Sequence, residues 1–237
     1  MKLHISKTKQ EVAQEFADFL IDLASDKQSI TVALSGGSTP KIVFDHLATE
    51  YKHTDWSKFH FYWGDERCVP PTDNDSNYKM TVDYLLSKIE IPSENIHRIL
   101  GDNIPEAEAL RYSKELEKNL PLENEVPQFD LVILGMGDDG HTASIFPHEM
   151  ELWDATEFCV VATHPESGQQ RISVTGDVIN NAKAVAFLVT GASKKDKIDA
   201  ILNSQNDDLE YPASLVSPLS GELHWFMDEE AAQGIYK

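Results

Sequence analysis

The chain is poor in cysteine and in positive charge, and it has no long apolar run. Its two cysteines, Cys68 and Cys159, are too few for a disulfide framework and sit in no Cys-x-x-Cys metal pattern. A reducing compartment, the cytoplasm, fits them. No apolar stretch approaches the ~20 residues that a bilayer-spanning helix needs, and the segment from Met1 to Lys7 lacks the apolar centre of an export signal. Membrane insertion and export are therefore not expected. Lys and Arg number 20 against 40 Asp and Glu, a formal charge of −20. Nucleic-acid and anionic-membrane surfaces need clustered cations, so neither partner is expected. An anionic ligand would depend on the few cations placed near glycine-rich loops, namely Arg67, Arg171, Lys194 and Lys195.

What is present reads as one α/β domain spanning 1–237, without internal repeat or linker. Apolar residues at helical spacing predict an opening helix over Lys9 to Ala24 and further helices near Ile42 to Leu47, Tyr78 to Lys88, Pro105 to Asn119 and Asp196 to Leu202. Strands are predicted at Ser29 to Leu34, Phe59 to Trp63, Asn95 to Ile99, Phe129 to Leu134, Phe158 to Thr163, Arg171 to Thr175, Ala184 to Thr190 and Glu222 to Phe226. A turn or short helix is expected at Thr175 to Asn180, and a helix or loop leads from Pro212 toward the last strand. Alternating strands and helices imply a three-layer, mainly parallel, Rossmann-like sheet with right-handed crossovers.

Three loops carry the chemistry. Ser35-Gly36-Gly37-Ser38-Thr39-Pro40 joins a strand to a helix, with Thr39 as N-cap and Pro40 as first helical residue. Its open glycines, hydroxyls and free helical N–H groups suit a phosphate, although a capped turn without ligand would look the same. The long polar stretch from Gly64 to Asn77 holds Asp65 and Glu66, able to orient a sugar hydroxyl or water, and Arg67, able to present a bidentate fork. A solvated ion-pair loop, capped into the next helix by Ser76 or Asn77, is its plainer reading. The third loop, Gly135-Met136-Gly137-Asp138-Asp139-Gly140-His141-Thr142, leaves an apolar strand and offers one imidazole beside two carboxylates. His141 suits proton transfer near neutral pH. Thr142 is expected to start a helix whose N–H groups face an oxyanion. No partner ligand stands at metal spacing, His148 being seven residues on, and Gly-x-Ser-x-Gly is absent. Neither a metal nor a serine nucleophile is expected, which leaves water.

Taken in order, Leu34 to Pro40, Trp63-Gly64-Asp65-Glu66-Arg67, Asp75-Ser76-Asn77-Tyr78 and Gly135 to Pro147 resemble the 6-phosphogluconolactonase family. Arg171 to Thr175, Gly191-Ala192-Ser193-Lys194 and the Pro212 to Trp225 segment extend the resemblance over nearly the whole chain. It implies a sugar-phosphate isomerase/lactonase fold and, without cofactor, hydrolysis of 6-phospho-D-glucono-1,5-lactone in the oxidative pentose phosphate pathway. It also implies roles. His141 is the general base, Asp139 orients it or a sugar hydroxyl, and Arg67 or nearby backbone N–H groups stabilise an oxyanion. Ser35, Gly36, Gly37, Ser38, Thr39, Asp65, Arg171 and Lys194 hold substrate and its phosphate. A cytoplasmic monomer or weak homo-oligomer is implied. The rival is glucosamine-6-phosphate deaminase, whose pattern has Glu five residues beyond the histidine and Asp-Glu-Tyr in the second loop. This chain has Phe146 and Asp65-Glu66-Arg67 there. A sugar-phosphate-binding regulator without turnover is the non-enzyme alternative.

Overall fold

The computed structural model describes residues 1–203, 210–219 and 221–235. Its strands, in chain order, are β1 (Lys2–Ser6), β2 (Ile30–Leu34), β3 (Phe59–Trp63), β4 (Asp65–Arg67), β5 (Ile96–His97), β6 (Leu122–Glu123), β7 (Val126–Pro127), β8 (Leu131–Leu134), β9 (Cys159–Thr163), β10 (Gln170–Val174), β11 (Ala184–Val189) and β12 (Glu222–Asp228). The α-helices are α1 (Lys9–Ser25), α2 (Ser38–Glu50), α3 (Asn77–Thr81), α4 (Pro105–Asn119), α5 (Gly176–Asn180) and α6 (Lys195–Asn203).

Seven strands form a parallel sheet in the order β1-β12-β11-β8-β2-β3-β5, with helices on both sides. Every residue of β8 and β11 is buried, as strands covered on both faces require. The sequence writes them as unbroken apolar runs, Leu131-Val132-Ile133-Leu134 and Ala184-Val185-Ala186-Phe187-Leu188-Val189. From β2 the chain builds outward through β3 and β5, whereas from β8 it builds the other way through β11 and β12. The two halves diverge between β2 and β8, and the loops leaving the carboxyl ends of these neighbours open a crevice.

A second, antiparallel sheet of order β4-β10-β9 stands beside the first. Gly64 joins them. Its N–H donates to Leu34 O at 2.9 Å in the parallel sheet, and its carbonyl accepts from Val174 N at 2.9 Å at the end of β10. The chain therefore leaves the main sheet after Trp63 and starts pairing again at Asp65.

Several local expectations change. The fold opens on β1, not on α1. With Lys2, His4 and Ser6 alternating along an edge strand, β1 carries no apolar run to announce it. The stretch expected to be loop from Gly64 to Asn77 contains β4, and the connection before β8 contains the β6–β7 hairpin. Helix α2 starts at Ser38 with Gly37 as N-cap. Thr39 lies inside it, with its hydroxyl hydrogen-bonded to that of Thr190 at 2.8 Å. The helix expected from Tyr78 to Lys88 is α3 followed by a π-helical turn over Val82–Leu86. Thr142 starts no helix. Residues Thr142 and Ile145 close a tight turn, and a 3₁₀ segment follows over Pro147–Asp154.

Helix α1 is closed by a capping box in which the Thr8 hydroxyl accepts from Glu11 N and the Glu11 carboxylate accepts from Thr8 N. Thr8→Ala should lower the free energy of unfolding by about 1 kcal/mol, read by urea denaturation. Unchanged stability would show that this cap contributes nothing.

Candidate active site

The crevice between β2 and β8 holds a cavity of about 200 Å³. The loop after β2 contributes Ser35, Gly36, Gly37, Ser38 and Thr39, and the second sheet contributes Asp65, Arg67 and Arg171. The loop after β8 contributes His141, and Lys194 enters from the segment after β11. All of the substrate residues expected from the sequence thus line one space. Asn77, Ala143 and Thr190 line it as well. Asn77 lay in a recognised motif but read only as a possible cap.

Asp139 stands behind His141. The His141 Nδ1 lies 2.6 Å from Asp139 Oδ1, which also accepts the His141 backbone N–H at 3.1 Å. Burial alone would raise the Asp139 carboxyl, but the hydrogen bond and charge of His141 outweigh it and hold the group at about 2. Nδ1 is therefore occupied and Nε2 is the nitrogen free to exchange a proton. The loop is folded tightly for this purpose, with Gly137 N donating to His141 O at 2.9 Å and Gly140 N to Gly137 O at 3.1 Å. A Cβ on Gly137 would overlap both the His141 ring and the Asp139 carboxylate. Just beyond, Ala143 adopts a left-handed φ of 48°, a conformation uncommon for a residue with a side chain, which turns the chain so that Ser144 reaches the second sheet. There the Ser144 hydroxyl donates to Asp65 Oδ2 at 2.7 Å, and its N–H donates to the Ser173 hydroxyl at 3.1 Å.

Phe146 is fully buried and forms the wall behind the imidazole, its ring centroid 4.7 Å from that of His141. The Arg171 guanidinium lies over the same ring, 5.5 Å from its centroid. Arg171 and Arg67 are directly opposed on the β4–β10 ladder. Like charges in that position repel, and among the described residues neither forms an ion pair with a carboxylate. Burial first, and then the nearby Arg67, lower the proton affinity of Arg171. Two unneutralised guanidinium groups facing one cavity form a place for an anion. Lys194 is instead paired with Asp138 at 2.6 Å, and this hydrogen bond pulls the Asp138 carboxyl below its usual range. Asp138 thus has a place beside Lys194, while Asp139 serves His141.

An α/β crevice at a sheet switch point, lined by a glycine-rich helix start, several cations and a carboxylate–histidine pair, defines a sugar-phosphate-handling protein of the isomerase and lactonase class. Residues 5–225 match the model of the family described as glucosamine-6-phosphate isomerases/6-phosphogluconolactonase, and the chain belongs to that family. It is 43% identical over 222 residues to 6-phosphogluconolactonase of Treponema pallidum, covering 93% of this chain and 92% of that protein. Against 6-phosphogluconolactonase of Haemophilus influenzae it is 42% identical, covering 95% and 96%. The structure of 6-phosphogluconolactonase from Trypanosoma brucei superposes with a TM-score of 0.87 at 30% identity, covering 99% of this chain and 98% of that one. A monomeric glucosamine-6-phosphate deaminase, at 20% identity and a TM-score of 0.82, shares the fold.

Asp139→Asn should lower kcat by about 10²-fold or more through loss of the oriented, charge-stabilised imidazole, with a smaller change in KM. Steady-state rates check this, and an unchanged kcat would remove Asp139 from the chemistry. The Asp139 carboxyl is depressed on folding, so its contribution to stability is present above its unfolded value near 3.8 and is lost as pH falls toward about 2. Gly137→Ala should reproduce the kinetic loss by forcing the pair apart.

Proposed function

We infer that this chain hydrolyses 6-phospho-D-glucono-1,5-lactone to 6-phospho-D-gluconate, the second step of the oxidative pentose phosphate pathway. The observation that carries the reading is the Asp139–His141 pair at a cation-lined cavity, with apolar Phe146 packed against the imidazole. The names of the Treponema and Haemophilus relatives, matched over almost their whole length, support it. As parts of the same reading we propose that residues 1–237 form one catalytic domain, cytoplasmic, acting as a monomer or weak homo-oligomer.

In this reading His141 Nε2 takes a proton from water as the water oxygen attacks C1. The lactone carbonyl becomes a tetrahedral oxyanion. As that intermediate collapses, the bond from C1 to the ring oxygen breaks and the imidazolium returns the proton to that oxygen. The new carboxylic acid then ionises to solvent. Asp139 remains a carboxylate throughout and stabilises the imidazolium. The phosphate rests on the N–H groups and hydroxyls at the start of α2, where the helix dipole favours negative charge.

The two arginines divide between the ends. Arg67 also lines an adjoining groove with Gly37, Ser38 and Asn77, which supports a phosphate role for it in place of the oxyanion role implied by the family resemblance. Arg171 shares Phe146 with His141, which supports a role near the developing oxyanion. Lys194 exchanges Asp138 for the phosphate. Amine loss from glucosamine 6-phosphate needs an additional proton shuttle, and a Phe146 side chain has no proton to move.

His141→Ala should reduce kcat by about 10²-fold or more with little change in KM, measured as 6-phosphogluconate formation above the spontaneous rate. Near-wild-type turnover would overturn the general-base role, and binding of 6-phosphogluconate by a wild-type chain without turnover would favour a regulator. Lys194→Ala should act mainly on KM, and an unchanged KM would remove it from the phosphate site.

A further inference from the structure

Glu66 is the charged residue beside the cavity that the chemistry above leaves unused. It sits between Asp65 and Arg67 on β4, opposite Ile172, so strand alternation sends its side chain to the face away from the cavity. It is 2% exposed. No cation is paired with it among the described residues. Instead its two oxygens accept four hydrogen bonds. Oε1 takes Arg67 N at 2.8 Å and Asn77 N at 2.7 Å, while Oε2 takes Tyr78 N at 2.8 Å and the Ser76 hydroxyl at 3.0 Å.

A buried carboxylate without a cation is costly to a fold, and burial is the largest influence on Glu66, raising its carboxyl above the ordinary range despite these donors. A neutral cap at the protein surface would satisfy the amides of a helix as short as α3 with less desolvation. What the buried carboxylate adds is a fixed distance between two parts of the site that are ten residues apart. On one side is Arg67, whose guanidinium also returns to Asp75 O at 2.5 Å. On the other is Asn77, whose Nδ2 donates to Asp65 O at 3.0 Å and whose carboxamide fills the space that a Gly36 side chain would occupy. Arg67, Asn77 and Gly36 all line the cavity.

We propose that Glu66 is a positioning residue for phosphate recognition, holding Arg67 and Asn77 in register with the Gly36 cradle through its four hydrogen bonds. The proposal rests on the phosphosugar reading of the site. Its substrate-binding consequence is specific: loss of the carboxylate loosens the phosphate end and leaves the His141 end assembled.

The test is Glu66→Gln in the full chain, which keeps the side-chain size but turns one acceptor oxygen into an NH₂ facing N–H donors. KM for the phosphorylated lactone should rise about 10-fold or more while kcat stays within about threefold. The inhibition constant of inorganic phosphate should rise in parallel. Ser76→Ala, which removes one of the four donors to Glu66 together with the acceptor for Lys79 N at the start of α3, should give a smaller rise in the same two constants and decides the matter if Glu66→Gln does not fold. Unchanged KM and phosphate inhibition in these variants, or a fall in kcat and thermal stability without a change in KM, would overturn the proposal and leave Glu66 a structural residue. If the wild-type chain did not hydrolyse the lactone, the functional reading would fail by itself. Calorimetric binding of 6-phosphogluconate would then judge Glu66, with weaker binding to the Glu66→Gln chain supporting it, and equal binding or no binding to either chain overturning it.

Discussion

The site depends on the divergence of the parallel sheet between β2 and β8. Adjacent parallel strands end at the same edge, and here their connections leave in opposite directions. The cradle of α2 and the turn carrying His141 therefore face each other across one strand spacing. Neither loop has to be long or flexible to achieve this. Because β2 and β8 are buried along nearly their whole length, the positions of both loops follow from the core. The second sheet then closes the crevice from the side, attached through Gly64 and through the Ser144 bonds to Asp65 and Ser173.

Electrostatics sharpens the division within that space. A chain of net charge −20 repels an anionic substrate at long range, so binding has to come from short-range, charge-assisted contacts. Among the described residues Arg67 and Arg171 remain without carboxylate ion-pair partners, in a protein that has an excess of carboxylates. Their direct opposition on the ladder would be unfavourable unless an anion sat before them. Lys194 is held by Asp138, an exposed carboxylate that a phosphate can displace. At the other end Asp139 is kept ionised beside His141, so the pair carries one negative charge that is cancelled when the imidazole takes a proton.

The main sheet is legible in the sequence because covered parallel strands are written as apolar runs. The helices α1 and α4 are legible from their spacing. β1 is not, since an edge strand with Lys2, His4 and Ser6 needs no continuous apolar face. β4 is less legible still: Asp65-Glu66-Arg67 is three charged residues, and only pairing with β10 makes them a strand. That pairing is what puts Arg67 opposite Arg171 and turns Glu66 away from the cavity. Sequence order offered both neighbouring carboxylates as able to orient a sugar hydroxyl or water, whereas pleating separates them and leaves only Asp65 on the cavity side. The Thr142 turn escaped for a similar reason, because the left-handed Ala143 that reverses the chain is an alanine, without the glycine that usually marks such a position. The histidine and its carboxylate were legible together, two residues apart in one glycine-rich loop.

The central claim is that one cavity binds phosphate at the start of α2 and presents C1 to His141. A crystal structure of the chain with 6-phosphogluconate tests it most directly. The account predicts the phosphate on the Ser38 and Thr39 N–H groups with Arg67 and Lys194, and the C1 carboxylate within hydrogen-bond reach, ~3 Å, of His141 Nε2. A product bound in the reverse sense, with its phosphate on His141 and its carboxylate on the cradle, would contradict it.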